Sequence, residues 1–487
     1  MLHYPERHTR RKHNIRILVA LFIFLYSSLL ALTGCGGAAT GSSANAGSGV
    51  YAGSSGASNT VAMNDPSGIN DPSSINNAVA AAAQTNGTVT ISSAMTLGAS
   101  LTIPSNVAVV FEKGGSIVKA SNYTLKIDGP FSAGLYQVFS GFNPGDVTFG
   151  PGSVEQVLPQ WWGADPSGKN DSAAAINGAI KSLITYQYNL VNGQYVPGGS
   201  GTVYIPTGRY KVLSPIIGVY SVNLKGAGME VFNNTGTTII PVGGITALDF
   251  SNIVGGFTVQ DLTVDGLTAS SGGTGVLIGG TGQNFAANIS FDNVSFVDLN
   301  YGVRFQSCWW INFNNCSLKN NNTGVYGNPT SGGYDQNISF INTRIAQSTN
   351  YGVYLEGGGG GMQQINFEDC VIELNGINEI YSDQVGPMNI TGSWFENHLT
   401  PGITAIQMSN TGPAVITGNV FNGTYVNAIT DGGKGNARYI SIENNKFASG
   451  ITNAVAFSAS CDHVTLSGNY YGGANTILQG PYSSIQP

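Results

Sequence analysis

The stretch ISFDNVSF at residues 289–296 decides the fold, because it alternates apolar and polar residues around a central Asp-Asn pair. Alternation is the period of a β-strand with one buried face. The same template, apolar-x-apolar-x-turn-x-x-apolar, occurs nine times, with spacings of 22 to 32 residues between copies. The copies begin at residues 257, 289, 311, 338, 365, 388, 414, 440 and 464. Repeats with a period of about 20–50 residues indicate a solenoid.

The fifth position of every copy is Asp, Asn or Gly, which are the residues that tolerate a left-handed backbone. It therefore predicts a tight turn inside each repeat. The nine residues are Asp261, Asn293, Asn315, Asn342, Asp369, Gly392, Gly418, Asn444 and Gly468.

A second short strand follows most copies about ten residues later, as in YGVRF (301–305) and YGVYL (351–355). Two or three short strands per rung of about 26 residues, with no helix between them, predict an all-β, parallel β-helix. Its rungs would stack about 4.8 Å apart.

Two short helices are predicted ahead of the repeats. DPSSINNAVAAAAQ (71–84) and DSAAAINGAI (171–180) each carry apolar residues on one helical face, and each precedes a Gly-Thr-Val strand. In the second, Asp171 can cap the helix, and Ile176 and Ile180 lie on the apolar face. Because an open stack of strand edges recruits other strands, we expect these helices to cap the N-terminal end.

Three stretches carry a resemblance to a known family: WWGADPSGKNDSAAAINGAI (161–180), GGSGTVYIPTGRYKVLSPI (198–216) and VNLKGAG (222–228). They resemble the opening of the pectate lyase-like superfamily in its rhamnogalacturonase/epimerase-type branch, which includes tailspike domains. The resemblance implies a right-handed parallel β-helix that acts on polysaccharides. It implies no single reaction, because hydrolases, lyases, epimerases and adhesive spikes share the scaffold.

The N-terminus predicts export. Basic residues precede an apolar run from Ile17 to Leu32, and LTGC (32–35) resembles a bacterial lipoprotein signal in which Cys35 is lipidated. The expected organisation is a signal peptide (1–34), a Gly/Ser/Ala-rich tether (35–64), a β module with a capping helix (65–158) and the β-helix (159–487). The protein is expected in the bacterial cell envelope, lipid-anchored at the outer membrane or cell surface.

The charge excludes some partners. Only 9% of residues are charged, and removal of residues 1–34 leaves 14 Lys and Arg against 25 Asp and Glu, a formal charge of −11. Nucleic acid is not expected, because there is no basic patch to release its counterions. A polyanionic glycan would be repelled unless cations bridge it, so a neutral or weakly acidic polysaccharide is the expected partner.

Residues at equal offsets in successive rungs form columns on the surface. In the second strands, Arg304, Tyr326, Tyr354 and Tyr381 are predicted to share one outward column and to bind substrate, with sugar rings lying against the tyrosine rings. Glu356 and Asp383 fall on adjacent rungs beside them, so their carboxylates are expected about 5 Å apart, a distance that suits an acid and a base or nucleophile. Glu379 is expected on the same strand face, as a third catalytic candidate.

A rival column contains Glu373 and Glu396, each one residue beyond the last apolar position of its repeat. These two glutamates are the second choice for catalysis.

The sequence leaves three functions open. The leading hypothesis is a polysaccharide-binding protein that cleaves its ligand by carboxylate chemistry, and the alternative is a non-catalytic glycan-binding or structural solenoid. The third is β-elimination, the one reading that would require Ca²⁺, with Arg304 or a lysine as the base; otherwise neither a metal nor a cofactor is expected. Oligomeric state is not predicted.

Overall fold

The structure is a computed structural model that describes residues 60–63, 72–189, 195–230, 235–251, 253–269, 272–280, 285–329, 333–358, 361–398, 400 and 402–486. The predicted signal segment and Cys35 lie outside these residues. Among the residues described, no helix has the length and hydropathy needed to cross a membrane.

Two α-helices occur in the described part of the chain, α1 (Pro72–Ala83) and α2 (Ala173–Ser182), together with a 3-10 helix at Pro159–Trp162. Both α-helices lie where the sequence predicted them. In α2 the apolar face is buried, with Ile176 and Ile180 at most 1% exposed. The N-cap residue is Ser172 and not the predicted Asp171, and Ser172 forms no side-chain capping bond. Asp171, one residue earlier, accepts a hydrogen bond from the Ala173 backbone N–H (3.1 Å).

The N-terminal module is itself a short parallel solenoid with three strands per turn. Its three sheets are Thr60–Met63, Thr88–Ile91, Ala108–Phe111 and Phe131–Ser132; Leu101–Ile103, Leu125–Ile127 and Val147–Phe149; and Ala94–Leu97, Ser116–Lys119 and Phe139–Ser140. Trp161 packs on Phe131 (centroids 4.7 Å apart) and Trp162 on Phe139 (4.9 Å). These tryptophans join the module to α2, because Gly178 of α2 lies directly against the Trp162 ring.

The rest of the chain forms two sheets that run the length of the solenoid. A 22-stranded sheet contains Ser167–Asp171, Ile184–Asn189, Tyr195–Ile205, Gly208–Val212, Tyr220–Gly226, Thr237–Pro241, Val254–Asp265, Ala286–Val297, Cys308–Asn314, Ser317–Lys319, Asp335–Ile341, Arg344–Ala346, Met362–Glu368, Val371–Glu373, Met388–Thr391, Trp394–Asn397, Ala414–Thr417, Val420–Gly423, Arg438–Glu443, Lys446–Phe447, Asp462–Ser467 and Ser484–Gln486. An 11-stranded sheet contains Ile216–Ile217, Thr246–Phe250, Thr274–Ile278, Tyr301–Phe305, Thr323–Gly327, Tyr351–Glu356, Asn378–Asp383, Thr404–Ser409, Asn427–Thr430, Asn453–Phe457 and Asn475–Leu478.

Neighbouring rungs pair in parallel, and equivalent repeat positions are register partners, as Ile311 and Ile338 are. All nine predicted turn residues have φ between +47° and +69°. The predicted all-β, parallel β-helix is therefore confirmed, with its repeat positions stacked in columns.

The core is a single cluster of buried apolar side chains that includes a stack of phenylalanines. Phe291, Phe313, Phe340 and Phe367 stack on successive rungs with centroids 4.7 to 5.1 Å apart and interplanar angles of 5° to 7°. We call these four residues the phenylalanine ladder. Regular rungs place identical side chains at van der Waals distance, so the ladder follows directly from the repeat.

Candidate functional site

The predicted outward column exists on the 11-stranded sheet. Arg304 pairs in register with Tyr326, Tyr326 with Tyr354, and Tyr354 with Tyr381. Tyr326, Tyr354 and Tyr381, which we call the tyrosine ladder, stack with centroids 5.5 and 4.9 Å apart and interplanar angles of 4° and 13°.

The faces of the ladder rings are covered. The inner faces lie against each other, the Arg304 guanidinium lies 5.8 Å from the Tyr326 centroid, and the Lys434 ammonium lies 5.3 Å from the Tyr381 centroid. We expected sugar rings to lie flat on these tyrosines, and this geometry leaves no open face for such stacking. The ladder instead offers its ring edges and a row of phenolic hydroxyls.

Two further tyrosines border the ladder. The Tyr301 ring is 5.0 Å from Tyr326, tilted by 50°, and the Tyr351 ring is 4.9 Å from Tyr354, at 65°. Sequence reasoning did not select them for binding, although both occupy the first position of their strands in YGVRF and YGVYL. Because both rings are tilted against the ladder rings, they add aromatic surface at the edge of the ladder.

Lys434 was also missed. It lies in Asp-Gly-Gly-Lys-Gly (431–435), and its ammonium donates a hydrogen bond to the Tyr381 hydroxyl (3.0 Å). That hydrogen bond is the main cause that raises the pKa of Lys434, so the residue stays a cation at the end of the ladder. A loop lysine outside the repeat period gives no columnar signal, and no other sequence feature indicated this contact.

Glu356 and Asp383 are register partners on adjacent rungs, as predicted. Glu356 accepts hydrogen bonds from the Tyr354 hydroxyl (3.3 Å) and the Asn328 amide (3.4 Å). Asp383 accepts one from the Asn410 amide (2.8 Å). Both carboxylates are half-buried and held in place beside the ladder hydroxyls.

The Tyr354 hydroxyl is protonated over the physiological range. Burial and then the Glu356 carboxylate raise its pKa well above its ordinary value. Tyr354 therefore acts here as a hydrogen-bond donor, and not as a phenolate base.

The structure corrects the predicted position of Glu379. It does not share the outward face with Glu356 and Asp383, because its side chain is fully buried inside the solenoid. The second and third residues of these strands both point inward, as the burial of Gly302 and Val303 also shows, so strict alternation fails at this position.

The buried Glu379 carboxylate is surrounded by polar groups. It accepts hydrogen bonds from the amides of Asn375 and Asn397 (3.1 Å for Asn397) and from the Tyr425 hydroxyl (3.3 Å). Burial nevertheless raises the pKa of Glu379 to about 7. The residue has no access to a polysaccharide on the outer face.

The rival pair is also aligned, since Glu373 and Glu396 are register partners. Glu373 is ion-paired with Arg344 (Nε to Oε1, 2.9 Å). Glu396 accepts a hydrogen bond from the Trp394 indole (2.8 Å) and contacts His398 (2.9 Å). Glu373 is thus paired with a cation of the protein, whereas the hydrogen bonds to Glu356 and Asp383 come from uncharged groups. This difference weakens the rival column as a site.

A groove of about 350 Å³ continues from the tyrosine ladder toward the C-terminus on the same sheet. Thr430, Asn427, Asn453 and Ser458 line it, and Asp431 forms part of its wall. Asp431 is buried and accepts hydrogen bonds from Ser458, from the Cys461 thiol and from the Gly433 backbone, which fixes the loop that carries Lys434.

No group of three or more His, Cys, Asp or Glu side chains that could hold a metal ion occurs among the described residues. Glu356 and Asp383 lie together with the ladder hydroxyls, Arg304 and Lys434 on this face.

These features define the class of the protein, a parallel β-helix with a polar and aromatic row along one outward face. Residues 161–255 match the family model described as rhamnogalacturonase A/epimerase, pectate lyase-like. This match confirms the resemblance identified in the sequence, over the stretch that carries it.

Solved structures share the fold. ORF18 of Geobacillus virus E2 is 19% identical with a TM-score of 0.52, over 64% of this chain and 61% of the viral one. The chain thus spans about 61% of the length of that protein. DFA-IIIase from Arthrobacter chlorophenolicus A6 without its lid is 12% identical with a TM-score of 0.50, over 68% of this chain and 92% of the enzyme.

A mutant of the same DFA-IIIase in complex with DFA-III gives 13% identity, coverage of 68% and 86%, and a TM-score of 0.50. At these identities the likeness is one of fold. Among curated protein sequences, none matches the chain significantly.

Proposed function

We propose that this protein is an exported, lipid-anchored protein of the bacterial cell envelope that binds a polysaccharide along the tyrosine ladder and cleaves it with Glu356 and Asp383. The match to the rhamnogalacturonase A/epimerase model and the fold shared with DFA-IIIase support a carbohydrate ligand. A shared scaffold does not define a reaction, so the argument for cleavage rests on this chain's own side chains.

The observation that carries the proposal is the pairing of two half-buried carboxylates beside a row of three phenolic hydroxyls. The hydroxyls and the amides of Asn328 and Asn410 can exchange hydrogen bonds with sugar hydroxyls along the solenoid axis. Arg304 and Lys434, at the two ends of the ladder, add positive charge beside the two carboxylates.

The spacing of the carboxylates suits hydrolysis with retention. Register partners in a parallel sheet lie about 4.8 Å apart, close to the separation of about 5–5.5 Å found in retaining glycosidases. One carboxyl would protonate the leaving oxygen while the other attacks the anomeric carbon. Water then releases the sugar, with the first group acting as the base.

The test is an incubation of the purified protein with a panel of neutral and weakly acidic polysaccharides. New reducing ends without ultraviolet-absorbing unsaturated sugars would indicate hydrolysis, and unsaturated products would indicate elimination. Glu356→Gln and Asp383→Asn should each lower turnover by about 10²–10⁴-fold while binding is kept, because each retains its shape and loses its proton chemistry. Glu373→Gln is the matched control and should remain active.

Loss of activity in Glu373→Gln, with Glu356→Gln and Asp383→Asn fully active, would move the site to the rival column. Unsaturated products that require added Ca²⁺ would favour elimination over hydrolysis.

A second candidate function is glycan binding without cleavage. The observation in its favour is that both carboxylates already accept hydrogen bonds from Tyr354, Asn328 and Asn410, an arrangement that also suits a rigid binding surface. Binding to a polysaccharide with no product from any member of the panel would establish this alternative.

The anchor is a separate part of the proposal and rests on Leu32-Thr33-Gly34-Cys35. Cys35→Ala should leave the protein unlipidated, and the variant should move from the membrane fraction to the soluble fraction. A variant that still fractionates with membranes like the parent would contradict the lipid anchor. Outer-membrane location would be tested by separating the two membranes.

A further inference from the structure

A second groove, of about 340 Å³, lies on the outward side of the 22-stranded sheet, the other sheet of the solenoid from the one that carries the tyrosine ladder. Its volume falls in the range of about 300–1,000 Å³ that is typical of small-molecule sites. Polar lining comes from Asn223, Thr258, Asn288, Ser290 and Asn312, and the indole of Trp310 forms one wall. None of its lining residues is charged.

The opposite wall is opened by a β-bulge. Val254 pairs with Ala287 and Phe257 with Ile289, so Gly255 and Gly256 together oppose the single residue Asn288. A Cβ on Gly255 would lie 1.3 Å from the Tyr220 ring, so a glycine is needed there. At Gly256 a Cβ would meet no atom within 4 Å, because the position faces the groove.

The polar side chains of the groove differ from those of the same column further along the chain. At later rungs the side chains of the column hydrogen-bond one another. The Asn389 amide donates to Asn366 (2.9 Å), and the Asn366 amide donates to Ser339 (3.2 Å). Ser290 and Asn312 precede them in the column, and within the described residues their side chains have no hydrogen-bond partner in the protein. These two side chains are left free to bond a ligand.

Trp310 occupies a turn position with a left-handed backbone. Its φ is +57°, and the residues aligned with it on the neighbouring rungs, Asn288 and Asn337, have φ of +58° and +55°. Later rungs hold Tyr439 and His463 at the same position, with φ of +56° and +53°, so this backbone is a regular feature of the turn whatever the side chain. What distinguishes Trp310 is that its indole lies in a groove with the Ser290 hydroxyl and the Asn312 amide.

We propose that this groove binds a neutral oligosaccharide, as a second carbohydrate site separate from the tyrosine ladder. An aromatic wall, the unpaired side chains of Ser290 and Asn312, and a pocket opened at Gly256 match the apolar faces and hydroxyls of a neutral sugar. Sugars with carboxylates or sulfates would find no cation in the lining. The site would hold the protein on a glycan chain while the ladder acts on it.

The test is calorimetric titration of the purified full-length protein with cellohexaose, laminarihexaose and maltohexaose. At least one of these neutral probes should bind. Gly256→Phe fills the groove from a position whose backbone accepts a side chain, and it should raise Kd at least about tenfold, as should Trp310→Ala.

Asn312→Ala should raise Kd by about threefold or more, since it removes a free hydrogen-bonding group. The matched control is Asn366→Ala, in the same column, where the amide is already bonded within the protein. That variant should bind like the parent. Circular dichroism of each variant would confirm that it is folded.

Tyr354→Ala distinguishes binding in the groove from binding at the ladder, because it alters the ladder and should leave binding in the groove unchanged. Binding that survives Gly256→Phe and disappears in Tyr354→Ala would assign the probe to the ladder and overturn the second site. No saturable binding of any probe up to about 10 mM would also overturn it. Neither result bears on cleavage by Glu356 and Asp383, whose test is turnover.

Discussion

Two aromatic ladders run along this β-helix with nearly the same stacking, one through the core and one along the surface. Phe313 and Phe340 lie 4.8 Å apart at 5°, and Tyr326 and Tyr354 lie 5.5 Å apart at 4°. The similarity shows that stacking comes from the rung repeat, which places equivalent residues one strand spacing apart whatever their role.

What differs is the surroundings of the rings. The phenylalanine ladder is enclosed by apolar side chains and is fully buried, so its contribution is packing. The tyrosine ladder ends on Arg304 and Lys434, and its hydroxyl row lies beside Glu356 and Asp383. A stack of aromatic residues therefore indicates a functional site only when polar or charged groups lie along the edges of its rings.

The largest expected effect tests whether packing belongs to the inner ladder. Phe340→Ala should lower the free energy of unfolding by about 3–5 kcal/mol, because it leaves a cavity between two stacked rings. Tyr354→Ala, at a half-buried outward position, should cost about 1 kcal/mol. Urea denaturation followed by circular dichroism measures both, and equal losses would erase the distinction between the two ladders.

The carboxylates extend the comparison from rings to charges. Glu379 is buried inside, and its pKa is raised from 4.5 to about 7, so the folded state binds a proton more tightly than the unfolded chain. The free energy of unfolding should therefore fall as the pH rises from about 4.5 to 7, by about 3 kcal/mol from this group. Below about pH 4.5 the contribution is constant, because the carboxyl is protonated in both states.

Glu379→Gln should remove that share of the pH dependence, as measured by urea denaturation at a series of pH values. Among the described residues, Asp335 is another buried carboxyl whose pKa burial raises to about 7, so Asp335→Asn should remove a similar share. The double variant should then show a much smaller slope in this window, but not a flat one, because burial also raises the pKa of Asp298. A parent-like slope in Glu379→Gln would mean that Glu379 is ionised in the folded protein.

The same contrast explains what the sequence could predict. The period, the nine left-handed turns and the column from Arg304 to Tyr381 follow from spacing alone, and the structure contains them. Glu379 was misplaced because alternation assumes a straight strand, whereas these strands turn two successive residues inward where they begin. Lys434 lies in a glycine-rich loop, and loops have no period from which to infer contacts.

The covered faces of the tyrosines could have been deduced. Rungs about 4.8 Å apart leave no room between parallel rings for a sugar, so outward stacking on successive rungs already implies an edge-on ladder.

The next prediction separates ring faces from hydroxyls in polysaccharide binding. Tyr354→Ala should weaken binding by about 1–2 kcal/mol, the scale of a lost aromatic contact. Tyr354→Phe keeps the stacked ring. It should still weaken polysaccharide binding by about 1 kcal/mol, because the hydroxyl is the part that a glycan can reach. Affinity measured by calorimetry with a polysaccharide that the parent binds would decide this, and parent-like affinity in Tyr354→Phe would return binding to the ring faces.

The smallest expected effect concerns the exposed end of the outer ladder. Lys434 covers the last tyrosine face from solvent and donates to its hydroxyl, so Lys434→Met should lower the free energy of unfolding by about 0.5 kcal/mol at low salt. The difference from the parent should shrink as salt is raised, because an exposed cation is screened. A core position has no such dependence, so Phe340→Ala, measured beside it by urea denaturation at two salt concentrations, should differ from the parent by the same amount at both. If the Lys434→Met difference is absent at low salt, the cation is not part of the ladder; if it is unchanged by salt, the contact is apolar packing of the lysine stem, and the two ladders differ less than their surroundings indicate.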